Sequence, residues 1–408
     1  MNAQAPAGLN GITVLDLTQG VAGPFCTRLM SQMGARIIKI ERPGTGDLIR
    51  FWDTIVHGMC SGHAWVNPGK ESLALNLKEE AGREILMDLV EKADIVIENF
   101  VPGTLEGWHL GYEAFKARNE KVIFCRISGF GQEGAYSDRA ALDLIVQGET
   151  GLISTNGTPD EPAKISLSVC DISGAMYATV GILEALFHRE RTGRGQEVQV
   201  ALFDAIMTWT GYFPYMLWYG GKAPQRVGLH HHTMAPYGPY MAGDGKQVIV
   251  AAGGGHTVMW RKFCEAIGDI ALFDDPRFAG NKERLENRAA LDERVGAAFA
   301  RHDRAYWLDQ FHKCQIPAGA LNTLEDALNH QRFKDRAMVL EVESAVGPVK
   351  VFDFPPRLSD APSVNRLGPP LVGEHTGSIL SEMGLSGDQI ADLASRGIIG
   401  TMSETNNG

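Results

Sequence analysis

Ile12-Thr-Val-Leu-Asp-Leu17, a turn at Gly20-Val-Ala-Gly-Pro24, a helical stretch over Gly23–Met33 and Arg36-Ile-Ile-Lys-Ile40 follow one another closely along the chain. Two short β-rich runs separated by one helix length make a βαβ unit, which lays its strands side by side in parallel. The pattern continues outward. Glu79–Lys92 places Ile85, Leu86 and Leu89 on one helical face, and Asp94-Ile-Val-Ile97 and Val122-Ile-Phe-Cys-Arg-Ile127 are further strands. Nearly continuous apolar strands alternating with helices point to an α/β fold whose parallel sheet is covered on both faces. Its crossovers are expected to be right-handed.

Further along, a helical pattern starts at Asp171 and runs to about Glu190, where Arg191-Thr-Gly-Arg-Gly195 stops it with glycine and basic residues. Gln196–Leu202 alternates as a strand, and an aromatic-rich helix follows through Trp209, Tyr212 and Trp218. The character changes near Gly220, where a loop with three consecutive histidines leads to Pro236-Tyr-Gly-Pro-Tyr240. The expected organisation is a large domain begun by 1–224, a small domain over 225–330 and a return segment over 331–408 that completes the large one. Helices are expected at Gly377–Met383 and Asp388–Ser395, with a frayed polar end over 402–408.

The chain carries 49 acidic against 38 basic residues, a formal net charge of -11. A protein that grips nucleic acid through phosphate contacts normally shows a basic domain or stripe, so no nucleic-acid partner is expected. A local pocket for an anion remains open, because helix N-termini and a few cations suffice for one. The six cysteines (Cys26, Cys60, Cys125, Cys170, Cys264 and Cys314) include no C-x-x-C pair, which argues against both a disulfide framework and a zinc site. Met1–Ala7 lacks a basic n-region and an apolar h-region. No uncharged apolar run is long enough to span a bilayer. A reduced, cytoplasmic protein without membrane contact is the expectation.

Four stretches could carry chemistry. Gly253-Gly-Gly255 lacks the GK[ST] ending of a P-loop. Gly20-Val-Ala-Gly-Pro24 lacks the complete dinucleotide fingerprint, yet it opens a helix; it is either a plain turn or a place where N–H groups meet a phosphate. His230-His-His232 is either a loop with one histidine facing substrate or a metal site, and no acidic or Cys/His partner lies at ligand spacing. Asp171 stands where Val169-Cys170 gives way to the Ile172, Met176, Leu183 stripe. It is either an N-cap or a carboxylate nucleophile. In both cases the helix dipole and N–H groups are expected to lower its pKa and keep it ionised.

Taken in order, the motifs resemble one family. They are Val14-Leu-Asp-Leu-Thr18 with Ala22-Gly-Pro24, Gly34-Ala-Arg-Ile-Ile-Lys-Ile-Glu-Arg-Pro43 with Gly46-Asp47, and Gly69-Lys-Glu-Ser-Leu-Ala-Leu-Asn-Leu-Lys78. Then come Ala93-Asp-Ile-Val-Ile-Glu-Asn-Phe100 with Pro102-Gly103, Ile127-Ser-Gly-Phe-Gly-Gln132, Asp171, Arg191-Thr-Gly-Arg-Gly-Gln196 and Gly373-Glu-His-Thr376. The chain resembles the family III CoA-transferases, the group of the formyl-CoA:oxalate and carnitine CoA-transferases, with the related α-methylacyl-CoA racemases. The resemblance covers about 9–400. It implies a Rossmann-like parallel-sheet large domain, a smaller α+β domain and an interlocked homodimer. It implies Asp171 as nucleophile, with coenzyme A lying over Val21, Ala22, Arg42, Leu75, Lys78, Asn99 and Phe100. Arg42 and Lys78 would supply cations for phosphate, and Phe100 an apolar contact. The coenzyme A thioester is a substrate, and no further cofactor or metal is implied. Chemistry would run through an aspartyl–acyl anhydride and then an aspartyl–CoA thioester, with a carboxylic acid as second substrate.

Two departures from the resemblance bear on activity. The racemases carry a histidine immediately before the aspartate of the Asp143 segment, whereas this chain reads Ala141-Leu142-Asp143. Leucine cannot abstract and return a Cα proton. The Gly-rich catalytic loop is not plainly matched, and its nearest counterpart is the histidine loop with Ala235-Pro-Tyr-Gly-Pro239. Asp143, His231, Tyr237 and Gly238 are therefore the substrate-site candidates, with a Gly238 N–H as an oxyanion donor. Gln147–Leu152, Gly157–Lys164 and Pro236–Tyr240 look most like the itaconate, mesaconate and citramalate transferases, whose usual donor is succinyl-CoA. The histidines, Arg139 and Arg226 are candidates for holding a second carboxylate. The rival readings are an acyl-CoA racemase or isomerase and a catalytically silent CoA-binding regulator.

Overall fold

A computed structural model describes residues 6–254, 257–365 and 367–402. The expected polar end beyond Met402, and Gly255 of the glycine run, lie outside the described residues. Some peripheral helices aside, the elements are β1 (Thr13–Asp16), α1 (Ala22–Gln32), β2 (Arg36–Glu41), β3 (Lys70–Leu75), α2 (Glu80–Lys92), β4 (Ile95–Glu98) and β5 (Ile123–Ser128). They continue with α3 (Asp143–Glu149), α4 (Val169–Thr192), β6 (Glu197–Ala201), α5 (Leu202–Trp209), α6 (Phe213–Gly220), β7 (Tyr237–Met241), β8 (Gln247–Ala251) and α7 (Arg288–Phe299). The last are β9 (Ala318–Ala320), β10 (Val339–Val342), β11 (Val349–Phe352), α8 (Thr376–Glu382) and β12 (Ile399–Gly400).

Among the described residues the main sheet runs in the order β12-β3-β2-β1-β4-β5-β6. Every pair in it is parallel except β12 against β3. The order 3-2-1-4-5-6 is that of a doubly wound nucleotide-binding fold, with the direction of winding reversing between β1 and β4. Val14 pairs with Ile37 on one side and Ile95 on the other. Val14, Leu15, Ile95, Val96 and Ile97 are all fully buried, as strands covered on both faces must be. One core joins Leu15, Ile38, Leu73, Leu86, Val96, Phe115 and Phe124 under α2 and α8.

The chain divides into two compact units: Met1–Thr150, Ser166–Gly211 and Arg336–Gly408 form one, and Gly151–Ile165 with Tyr212–Asp335 form the other. The second unit has its own antiparallel sheet, β7-β8-β9, and its own core around Trp260, Phe263, Phe299, Trp307 and Phe311.

Two helices depart from expectation. The single aromatic helix is two, α5 and α6, because Gly211 adopts φ +64° and Pro214 stands in the first turn of α6. A proline deeper in a continuous helix would lose a backbone hydrogen bond and clash with the preceding turn. The other is α4, which starts at Val169 with Ser168 at the N-cap position, so Asp171 lies inside the first turn. Its far end is as expected, closed by Gly193 at φ +73°. By length and composition alone α4 could cross a membrane, but half of its most apolar window is buried within the fold. It packs on α1, where the Thr179 hydroxyl meets Cys26 Sγ at 3.3 Å.

Candidate active site

In doubly wound sheets ligands bind at the carboxyl ends of the strands where the winding reverses, which here is between β1 and β4. The chain after β1 and the chain after β4 meet there. Gln19 N–H donates to Asn99 Oδ1 and Asn99 Nδ2 donates back to Gln19 O, each at 2.8 Å. Val21 and Ala22 open α1 and are buried, and Val21 supplies no side-chain cap. Phe100 is half-buried and packs edge-on against Trp108 at 5.9 Å. Arg42 follows β2 and Lys78 follows β3, so both leave the sheet at the same carboxyl edge. Both are exposed, and neither side chain has a hydrogen-bond or ion-pair partner among the described residues. Leu75 is placed differently: its side chain is 2% exposed inside the core, so it shapes the strand end without presenting a side chain to a ligand.

Asp171 is half-buried in the first turn of α4. Its pKa is raised to about 7, first by burial and then by the neighbouring Asp143 charge. The expectation of an N-cap with a lowered pKa is therefore corrected, and the reason is local. Asp143, at the start of α3, accepts the Cys170 N–H through Oδ1 at 2.7 Å and Gln147 Nε2 through Oδ2 at 2.6 Å. One N–H of the first turn of α4 thus serves Asp143. Asp171 is left with desolvation and a like charge, both of which favour its neutral form. The adjacent Cys170 thiol is pushed up to about 12 by burial and both aspartates, so it is no thiolate at neutral pH. Leu142, in the position where the racemases carry histidine, is exposed.

The remaining candidates belong to the second unit. The Tyr237 ring stacks on His231 at 4.8 Å, and His231 N–H donates to Tyr237 O at 2.9 Å. Gly238 pairs with Val250 in the β7–β8 ladder. A Cβ at Gly238 would fall 2.3 Å from His230 Nδ1, so this position has room only for glycine while the histidine stays. Burial, before any other influence, lowers the pKa of His230, His231 and His232, which makes them poor cations for a carboxylate. Arg226 donates to the carbonyls of Thr158 and Pro159, both at 2.9 Å. In the first unit, Arg139 lies over the Tyr136 ring at 3.6 Å. Arg288, which the sequence reading passed over, ties the loop to the strand by donating to His231 O and Tyr237 O. No grouping of His, Cys, Asp and Glu able to hold a metal occurs among the described residues.

A family model described as CoA-transferase family III matches residues 9–376. An acetyl-CoA:oxalate CoA-transferase from Acetobacter aceti is 36% identical over 91% of this chain and 97% of its own length. A succinyl-CoA–D-citramalate CoA-transferase from Chloroflexus aurantiacus is 32% identical over 97% of this chain and 98% of its own. Among solved structures, a CaiB/BaiF family protein from Brucella suis superposes with a TM-score of 0.83 at 34% identity, covering 93% of this chain and all of that one.

Proposed function

The chain belongs to CoA-transferase family III, and on that premise we propose that it moves coenzyme A from a short acyl-CoA to a free dicarboxylic acid, with Asp171 as nucleophile. The observation that carries the reading is the Asp171 carboxylate, half-buried beside Asp143 with a pKa near neutrality. A carboxylate of that basicity is a stronger nucleophile than an ordinary one and is still ionised in good part at pH 7. Asp171 attacks the thioester carbonyl, the C–S bond breaks, and coenzyme A leaves as thiolate while an acyl–aspartyl anhydride forms. The thiolate then attacks the aspartyl carbonyl and releases the donor acid. An acceptor carboxylate attacks the resulting aspartyl–CoA thioester, the thiolate leaves again, and its return to the acceptor's acyl carbon restores Asp171. No net proton or electron is exchanged, so neither metal nor redox cofactor has a step to perform.

Coenzyme A is placed over the carboxyl edge of the sheet, with its phosphates near Val21–Ala22 and toward Arg42 and Lys78, whose unpartnered cations suit them. Relatives named for oxalate and D-citramalate support a dicarboxylate acceptor. The exposed stripe Met176, Val180, Leu183 and Phe187 on α4 supports a second copy of the chain as partner. Six unpaired cysteines fit a reducing cytoplasm.

The test is a panel of acyl-CoAs crossed with carboxylic acids, followed by mass spectrometry of the products. Acid-dependent formation of a new dicarboxylyl-CoA is the expected outcome. Deuterium exchange at Cα without any acid requirement would replace the transferase reading with a racemase.

A further inference from the structure

Beneath the turn that opens α1 lie four charges at most 1% exposed: Asp16, Lys39, Asp47 and Lys70. They form two ion pairs, Lys70 with Asp16 and Lys39 with Asp47, each at 2.9 Å. Ion pairs this deep are weak evidence of a purely stabilising role, because well-packed apolar residues of similar volume usually do as well or better. Here each member of the quartet also holds the backbone of one short segment. Lys39 Nζ donates to Thr18 O at 2.7 Å, and Lys70 Nζ to Pro24 O at 2.9 Å. Asp16 Oδ1 accepts the Thr18 N–H at 2.9 Å. Asp47 Oδ1 accepts the Gly20 N–H at 2.9 Å, besides capping its own short helix through Ile49 N–H. The N–H groups of Val21 and Ala22 donate to nothing among the described residues.

We propose that Asp47 and Lys39 are positioning residues for coenzyme A: they fix the Thr18–Gly20 backbone from below, so that the next two N–H groups are held ready for the coenzyme. This rests on the reading that coenzyme A lies over Val21–Ala22. A buried charge gives the grip a defined direction, since carboxylate and ammonium each form short, oriented hydrogen bonds to backbone. The strand hides this role in sequence, because Lys39 interrupts the apolar run Ile37-Ile38-Lys39-Ile40 and resembles a surface position.

The test uses double variants that orphan no buried charge. Lys39→Met with Asp47→Leu removes both grips, whereas Lys39→Met with Asp47→Asn leaves an amide oxygen for the Gly20 N–H. The leucine variant is expected to raise the acyl-CoA KM roughly tenfold, with kcat and the acceptor KM nearly unchanged. The asparagine variant should recover most of that loss. Amide hydrogen exchange of the wild-type chain supplies an arm that needs no variant. Without ligand, the Gly20 amide should exchange slowly and those of Val21 and Ala22 fast, and added coenzyme A should protect the latter two. A Gly20 amide as fast as its neighbours overturns the proposal. So does an unchanged acyl-CoA KM in the leucine variant, or a loss of kcat and both KM values that asparagine does not recover. If coenzyme A protects neither Val21 nor Ala22 in the wild type, its placement falls, and this inference falls with it. Protection together with an unchanged KM removes the inference alone.

Discussion

Asp16 and Asp171 are both withdrawn from water in the same unit, and burial is the largest single influence on each, acting upward in both cases. They end on opposite sides of the ordinary carboxylate range. Lys70, Lys39 and the hydroxyls of Thr18 and Thr27 overcome burial at Asp16 and hold it well below that range. At Asp171 the neighbouring charge is Asp143, which adds to burial and leaves the group near 7. The partner that burial meets therefore decides on which side of the ordinary range a buried carboxylate ends.

Removing a partner should break that contrast most sharply at the frame. Lys70→Met leaves Asp16 charged in the core without its ion-pair partner, and a buried charge stripped of its partner typically costs about 3–5 kcal/mol. Urea unfolding should show that loss, and Asp16→Asn in the same chain should recover much of it. Asp171→Asn should act in the opposite direction. Its folded pKa of about 7 stands above the ordinary aspartate value of 3.8, so the stability linked to its proton is full below about pH 4 and is lost as pH rises through 7. At pH 8 the asparagine variant should therefore be more stable than wild type by about 1–3 kcal/mol, and the gain should shrink toward pH 4 in melting experiments. Equal stability at every pH would mean that Asp171 is not desolvated as described.

A smaller effect separates burial from charge. Asp143→Asn keeps an acceptor for Cys170 N–H but removes the like charge, so the acid limb of kcat/KM should move from near 7 to lower pH by roughly one unit. Burial remains, so it should not return to the ordinary carboxylate value. An unmoved limb would assign the whole shift to desolvation.

Much of this frame was legible in the sequence. β-branched runs at helix-length spacing gave strands and parallel pairing, and Asp171 lies at the start of its helix within two residues of where the pattern put it. What the sequence could not show depends on contacts between distant segments. Asp143 takes the Cys170 N–H across 27 residues, and its charge adds to the burial that raises the Asp171 pKa against expectation. Lys39 and Lys70 find their carboxylates 8 and 54 residues away, so neither could be told from a surface lysine by its neighbours in sequence. The break between α5 and α6 was available in Gly211 and Pro214, but the continuous aromatic pattern concealed it.

The central claim is that Asp171 forms a covalent link with the coenzyme, and mass spectrometry of the protein tests it directly. The chain is incubated with acyl-CoA in the absence of acceptor acid, quenched in acid and digested. The account predicts a peptide containing Asp171 that carries the mass of coenzyme A less one water, lost again when acceptor acid is added before quenching. Efficient transfer with no adduct on that peptide, or an adduct on another residue, would contradict it.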